Sequence, residues 1–378
     1  MIKKFIFILA VLISAQSFSQ RSTSSPYSYF GVGEEFGTRT VEQISMGSIG
    51  AAYSSPSYLN FVNPASLSEV RLATYVFGVL NNDLTISDEN TNQSTNSTSL
   101  SYFSIAFPLS KKMAVVFGMQ PTSSVGYSLI NTLNDDEGNF EEITQYVGSG
   151  DVNRIYGGFG LKLFKGFSVG LELDFLFGNI QNNVLNIRDE VTLATKNVED
   201  SNVRGGSIKL GAQYKTTLTK DINLHVGASF KLGNSLSSTG TENLYSLSLG
   251  ASGFEQPRDT IFSGPLTANL ERPLETILGL GLGKTNKWYA GINYKTQDAL
   301  VASGYFDNSA ESFQYGQSNR ISAGGFYIPK INSISSYWQR VTYRGGVKFE
   351  KLGLLVNGNP NSNAFTSIDD FGISFGLG

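Results

Sequence analysis

The stretch Phe167-Ser168-Val169-Gly170-Leu171-Glu172-Leu173-Asp174-Phe175-Leu176-Phe177 decides the fold. Every odd position in it is large and apolar, and the even positions up to 174 are Ser168, Gly170, Glu172 and Asp174. Period 2 separates the two faces of a β-strand. Strands of soluble sandwiches usually run to about 5–6 residues, whereas this one alternates for about as many residues as a tilted membrane crossing needs. One face suits hydrocarbon, and the other mixes charge with glycine as a barrel lumen does. Register follows: a one-residue slip would turn Glu172 and Asp174 toward lipid, at about 1–3 kcal/mol for each carboxylate at mid-membrane.

The pattern recurs along the chain. Ile208, Leu210, Ala212 and Tyr214 alternate with Lys209, Gly211, Gln213 and Lys215. Ile222, Leu224, Val226, Ala228, Phe230 and Leu232 alternate with Asn223, His225, Gly227, Ser229 and Lys231. Trp288, Ala290, Ile292 and Tyr294 alternate with Tyr289, Gly291, Asn293 and Lys295. Val341, Tyr343, Val347 and Phe349 alternate with Thr342, Arg344, Gly346, Lys348 and Glu350.

Twelve strands are expected, near 71–80, 99–108, 113–129, 151–164, 166–179, 203–217, 221–233, 274–284, 286–297, 318–328, 339–350 and 366–378. Short turns at 110–112, 165–166, 219–221 and 285–286 alternate with long polar stretches at 81–98, 130–150, 180–202, 234–273, 298–317 and 351–365. Outer-membrane barrels have short periplasmic turns and long outer loops, which puts residues 21–70 on the periplasmic side. The final run, with Phe371, Ile373, Phe375 and Leu377 on one face, reads as a strand in full stride that stops at Gly378. The expectation is a C-terminally truncated barrel that lacks one further hairpin.

Composition agrees. Of 378 residues, 16% are charged, 12% are aromatic and 41 are glycine, against about 25% charged in a soluble domain. The absence of a long apolar run after residue 19 argues against membrane helices. A net charge of -3 offers no basic footprint for nucleic acid. Zero cysteines exclude thiol chemistry and thiolate metal sites, and a single histidine excludes a His-rich one. No cofactor and no metal are implied. Lys3-Lys4, an apolar run from Phe5 to Ala15, and Ser17-Phe18-Ser19 before Gln20 form a secretory signal peptide over residues 1–19. The expected location is the outer membrane of a Gram-negative cell, with outer-membrane lipid around the barrel.

Residues 21–70 do not alternate. They hold Met46-Gly47-Ser48-Ile49-Gly50-Ala51-Ala52 and then Asn60-Phe61-Val62-Asn63-Pro64-Ala65-Ser66-Leu67. A barrel of twelve or more strands is wider than side chains alone can fill, so residues 20–70 are expected to plug a barrel formed by 71–378. The small-residue run followed by Asn63-Pro64-Ala65-Ser66-Leu67, just ahead of the first strand, resembles the hatch of FadL/TodX-type outer-membrane proteins, with the flavour of Bacteroidota members. That resemblance implies a fourteen-strand barrel with an apolar ligand path, in a family of transporters for long-chain fatty acids and aromatic hydrocarbons. It also includes branches that partner large outer-membrane complexes.

Other candidate sites read more simply. His225 faces the lumen with Asn223 and Lys231, and without a nucleophile motif it is taken as a hydrogen-bonded lumen residue, not a catalytic one. Glu172, Asp174, Lys209, Lys215, Lys231, Arg344 and Lys348 are expected to form a charged lumen network that steadies the barrel, with a selectivity filter as the alternative. Asp135-Asp136-Glu137-Gly138-Asn139 lacks the spacing of a calcium loop and reads as a solvated turn. Gly279, Gly281 and Gly283 share one face of a strand, where the plug or a neighbouring strand presses close. Asn92-Gln93-Ser94 and Asn96-Ser97-Thr98 read as ordinary loop.

The function expected from this reading is not enzymatic. The barrel is a passive uptake channel for a hydrophobic small-molecule ligand, with Asn63, Pro64 and Ala65 as plug hinge and Met46, Phe61 and Leu67 as apolar contacts. The alternative is a non-transporting barrel subunit of an outer-membrane secretion or protein-assembly complex, whose partners are the other complex subunits.

Overall fold

The computed structural model describes Thr23 and residues 25–87, 92–135, 137–250, 253–307, 312–358 and 364–378. The expected signal peptide and the mature start at Gln20 lie outside the described residues, as does Asp136. A short strand β1 (Glu34–Glu35), a one-turn helix α1 (Val41–Ile44) and a 3-10 turn (Pro64–Glu69) precede the sheet. The strands that follow are β2 (Thr74–Ser87), β3 (Asn92–Ser110), β4 (Met113–Asn134), β5 (Phe140–Phe164), β6 (Phe167–Arg188) and β7 (Ala194–Thr217). Then come β8 (Asn223–Lys231), β9 (Asn234–Leu249), β10 (Glu255–Arg272), β11 (Glu275–Lys284), β12 (Trp288–Gln297) and β13 (Val301–Gly304). The last are β14 (Phe313–Tyr315), β15 (Ser318–Tyr327), β16 (Tyr343–Asn357) and β17 (Phe365–Leu377).

All ladders are antiparallel. The twelve staves β2 to β8, β11, β12, β15, β16 and β17 coincide with the twelve runs read from alternation, and they curl into a transmembrane barrel with the N-terminal segment as its plug. The faces also fall as the alternation requires. Ser168, Glu172, Asp174 and Lys209 are buried inside, while Leu173, Phe175, Ile208 and Leu210 stand exposed on the outer face.

The stretches expected to be long loops are mostly strand. β4 and β5 stay paired from Met113↔Leu161 to Asn134↔Phe140, with register shifts at Pro121/Ser123 and Leu133/Asn134, and β6 and β7 stay in register out to Asn186↔Thr195. Residues 234–273 form the hairpin β9–β10, whose β9 also pairs with the outer half of β7. Outside the hydrocarbon nothing forces period 2, so these hairpins persist on backbone pairing without the pattern that reveals a membrane stave. Val341, expected on the outer face, is buried, because it lies in the turn before β16 and not within the strand.

Two features interrupt the wall. The β3–β4 ladder runs only from Ser110↔Met113 to Phe103↔Met119. Beyond it, β3 keeps β2 as partner and β4 keeps β5. A register shift falls between Pro121 and Ser123, where proline removes a ladder donor. Here the N-terminal segment covers the bared edge: Glu34 pairs with Ser124 and Glu35 with Ser123, and Phe36 N donates to Thr122 O at 2.7 Å. Residues 122–127 are therefore buried on both faces. The second feature is the seam between β2 and β17, which among the described residues carries no ladder of paired residues.

Candidate functional site

The lumen is filled in three layers. At the periplasmic end lies the small-residue run with Asn63-Pro64-Ala65, and every residue from Asn63 to Ser68 is buried. Asn63 caps the 3-10 turn through Oδ1, which accepts from Ala65 N at 3.0 Å. Its Nδ2 faces Ala51 O at 2.7 Å and the wall carbonyls of Ala212 and Ala228 at 3.1 Å each. Gln213 Nε2 donates to Ala51 O at 2.8 Å, Ser68 Oγ to Ser168 Oγ at 2.8 Å, and Gly47 N to Ser374 Oγ at 2.8 Å. The plug is thus tied to strands on several sides of the barrel.

The wall yields to it through glycine. A Cβ at Gly211 would strike Asn63 Oδ1, one at Gly227 the Ala51 carbonyl, and one at Gly346 the Met46–Gly47 peptide. At the expected glycine face, Gly279 meets Ala51 and Ala52, and Gly281 lies under the Tyr289 ring. Met46 packs with Ile49 and Tyr289, Phe61 meets the rings of Tyr102 and Tyr156 edge-on, and Leu67 joins Leu59, Val70 and Val116. Pro64 and Ala65 lie against Gly170 and Gly211.

The middle layer is charged. Arg154 is fully buried, and its guanidinium donates to Glu172 Oε1, Asp174 Oδ1 and Gln120 Oε1, each at 2.8 Å, while lying 4.2 Å from the Tyr156 ring centre. Lys209 Nζ donates to Glu172 Oε1 at 2.6 Å and to Phe61 O at 3.0 Å, which joins this network to the plug. Ser207 Oγ donates to Asp174 Oδ2 at 2.7 Å. Two cations face two carboxylates, so the cluster is neutral and its polar atoms are largely satisfied, as buried charge requires.

Of the seven expected lumen charges, Glu172, Asp174 and Lys209 meet here. Lys348 bonds Asp370 instead. Arg344 stacks its guanidinium over the Tyr58 ring at 5.4 Å, a contact with the plug and not with the network. Lys215 is exposed, because its strand runs out at the periplasmic rim two residues later. Lys231 has no ion partner among the described residues. Arg154 was not among the expected residues, although Val152, Arg154 and Tyr156 share one face at period 2. His225 is buried edge-on to Tyr289, 5.4 Å between ring centres, a packed lumen residue.

Above the plug lies a chamber of about 940 Å³, lined by seven cationic and six acidic side chains, among them Lys295, Arg320, Glu275 and Glu350. Lys295 pairs with Glu275 at 2.9 Å and Arg320 with Glu350 at 3.5 Å. An outer layer lies over part of it, where Val32 of the N-terminal segment packs with Val125, Val152, Leu176, Ile180, Val203 and Leu236, and the chamber also reaches the seam between β2 and β17, with Leu80 and Phe371 in its lining.

In the outer loop Asp135 Oδ1 accepts from the backbone N–H groups of Glu137 and Asn139, and Oδ2 from Asn139 Nδ2. These bonds hold its carboxyl below the usual carboxylate range, and the turn is organised by Asp135 itself. A depressed folded-state value means that the bonds' contribution is present at neutral pH and lost as pH falls through that value. Faster amide exchange at Glu137 and Asn139 is expected on acidification below about pH 4, once the intrinsic pH dependence is corrected for. Unchanged protection there would refute the role of Asp135.

Three solved structures show the same architecture. The CymD monoaromatic hydrocarbon channel aligns with a TM-score of 0.51 at 15% identity, over 84% of this chain and 88% of that one. The Pseudomonas putida toluene transporter TodX gives 0.54 at 17%, covering 92% and 89%. A Pseudomonas aeruginosa FadL homologue gives 0.55 at 12%, covering 91% and 86%. At these identities the likeness establishes the fold, an outer-membrane β-barrel of the FadL/TodX type, and two of these neighbours are named as a channel and a transporter. No curated protein sequence matches the chain significantly. A family model described as BamG matches residues 1–378.

Proposed function

This chain belongs to the BamG family, and on that premise we propose that it is a non-transporting barrel subunit of an outer-membrane secretion or protein-assembly complex, with residues 20–70 as a fixed hatch inside a barrel of 71–378. The sequence supports export by a signal peptide over residues 1–19. The observation that carries this reading is the charged chamber between two packed layers. An apolar solute crossing it would lie against thirteen ionisable side chains, most of them already ion-paired, and would offer no partner to those that still face water. Opening the hatch would also break the bonds of Asn63 and Gln213 to wall and plug carbonyls.

A subunit needs an outward surface, and the longest turn at the periplasmic end provides one. Residues 328–342 are fixed by Lys330 N to Gln339 O at 2.8 Å and Arg340 N to Tyr337 O at 2.9 Å. They present Ile334 at 100% exposure, with Tyr337 and Trp338 also exposed, the apolar and aromatic make-up of an interface core. Gentle solubilisation and affinity purification are expected to bring down the barrel in a stoichiometric large assembly. Ile334→Ser with Trp338→Ser should release it as a folded monomer. A lone native barrel carrying lipid would count against the proposal.

A second reading is passive uptake of a hydrophobic small molecule of the fatty-acid or aromatic-hydrocarbon class. It is favoured by the break between β3 and β4, where the N-terminal segment alone covers the wall, and by the likeness to a hydrocarbon channel and a toluene transporter. Asn63, Pro64 and Ala65 would then be the hinge, and Met46, Phe61 and Leu67 the ligand contacts. Pro64→Ala that assembles but loses uptake would support it. Unchanged uptake of every hydrophobic compound tested would refute it.

A further inference from the structure

The wall steps from barrel to outer hairpin where β8 gives way to β9 at 232–233 and β10 to β11 at 273–274. A small enclosed pocket of about 30 Å³ sits at this double break, continuous with the charged chamber through shared lining residues. Three donors line it. Asn234 Nδ2 and Arg272 Nε are buried without a hydrogen-bond partner, and the Lys231 side chain has neither an ion pair nor a hydrogen bond among the described residues. Unpaired buried donors are uncommon and cost free energy unless something fills the gap.

The nearby carboxylates are already engaged. Glu35 accepts from Arg272 at 2.5 Å and Glu275 pairs with Lys295 at 2.9 Å. The cations Lys231, Arg272 and Lys295 thus face two acids, which leaves one positive charge uncompensated. The neighbouring Lys209 does not help, since it lies across the ladder from Lys231 and is itself held by Glu172. Enclosed charge of this kind requires a partner. A water needs roughly 10–15 Å³ of such space, so 30 Å³ suits a particle little larger than water.

We propose that this pocket binds a small monovalent anion of halide size, held by Lys231, Arg272 and Asn234, which locks the outer hairpin to the barrel. The inference is independent of whether the barrel transports or serves as a subunit.

The test uses the purified full-length barrel in detergent, unfolded by heat in sodium chloride, sodium bromide or sodium gluconate at equal ionic strength. Halide is expected to raise the unfolding temperature by several degrees, saturably, and Lys231→Met, which keeps its volume but not its charge, is expected to abolish the difference. Bromide-soaked crystals should show an anomalous peak beside Lys231. Asn234→Ala provides a second variant if Lys231→Met does not assemble, and it should weaken the halide dependence several-fold. Equal stability in halide and gluconate would overturn the proposal, as would the same halide effect in both variants or a bromide map with only water in the pocket.

Discussion

Gly227→Val is expected to unseat the periplasmic-end plug and to raise the conductance of the barrel. The Cβ position at residue 227 is occupied by the backbone of Ala51 and Ala52, so relief requires movement of main chain and not of a flexible side-chain end. Overpacking of this kind costs about 1–3 kcal/mol. The loss does not stop there, because the Ala51 carbonyl is also the acceptor for Asn63 and Gln213. Asn63 Nδ2 keeps the carbonyls of Ala212 and Ala228 and Gln213 Nε2 that of Tyr53, so this further loss is smaller than the ~1–3 kcal/mol of a fully unpaired buried amide. The cheaper outcome is a folded barrel with the plug displaced. Planar-bilayer conductance and protease digestion of residues 40–70 in intact proteoliposomes would both register it. A variant with the conductance and protease resistance of the native protein would show that the wall can flex around the added side chain and that the close fit is not what retains the plug.

Arg154→Met is expected to be the most destabilising single change in the charged layer, by about 3–5 kcal/mol, the usual cost of stripping one partner from a buried ion cluster. Asp174 would keep only Ser207 as a direct partner, and Glu172 only Lys209. Charge balance, and not the arginine itself, sets this loss. Removing the orphaned carboxylate together with its cation, as Arg154→Met with Asp174→Leu, leaves the neutral pair Glu172–Lys209 and should recover most of the loss. Denaturant titration of the three proteins in lipid vesicles would measure both steps. If the single variant lies within about 1 kcal/mol of the native barrel, water or a rearranged lysine already compensates the carboxylates. If the double variant is no better than the single one, packing around Tyr156 outweighs charge.

How far the sequence could be read depended on which force acted on each segment. Between hydrocarbon and lumen every second residue must change character, so Phe175 outside and Asp174 inside were legible at once. All twelve staves could be counted from the same rule. Beyond the membrane the hairpin β9–β10 is held by backbone pairing, by side-chain bonds such as Ser263 to Asn243 and by Leu236 and Leu270 in the outer layer, and its Ser- and Thr-rich sequence carries no such mark. The plug was legible as fifty residues without alternation, rich in small side chains, and Asn63-Pro64 stood out within it. What Asn63 does there was not legible, since the carbonyls of Ala51, Ala212 and Ala228 come to it from segments far apart in the chain.

The charges divide in the same way. Alternation alone put Glu172, Asp174 and Lys209 inside the barrel. It could not supply Arg154 as their hub, send Arg344 to the Tyr58 ring, or leave Lys231 beside two unpaired donors. Side-chain period is a property of one strand between two solvents, and a single chain records it directly. Pairing among strands fifty or a hundred residues apart depends on ladder register and on where the plug settles, and only the assembled barrel fixes those distances.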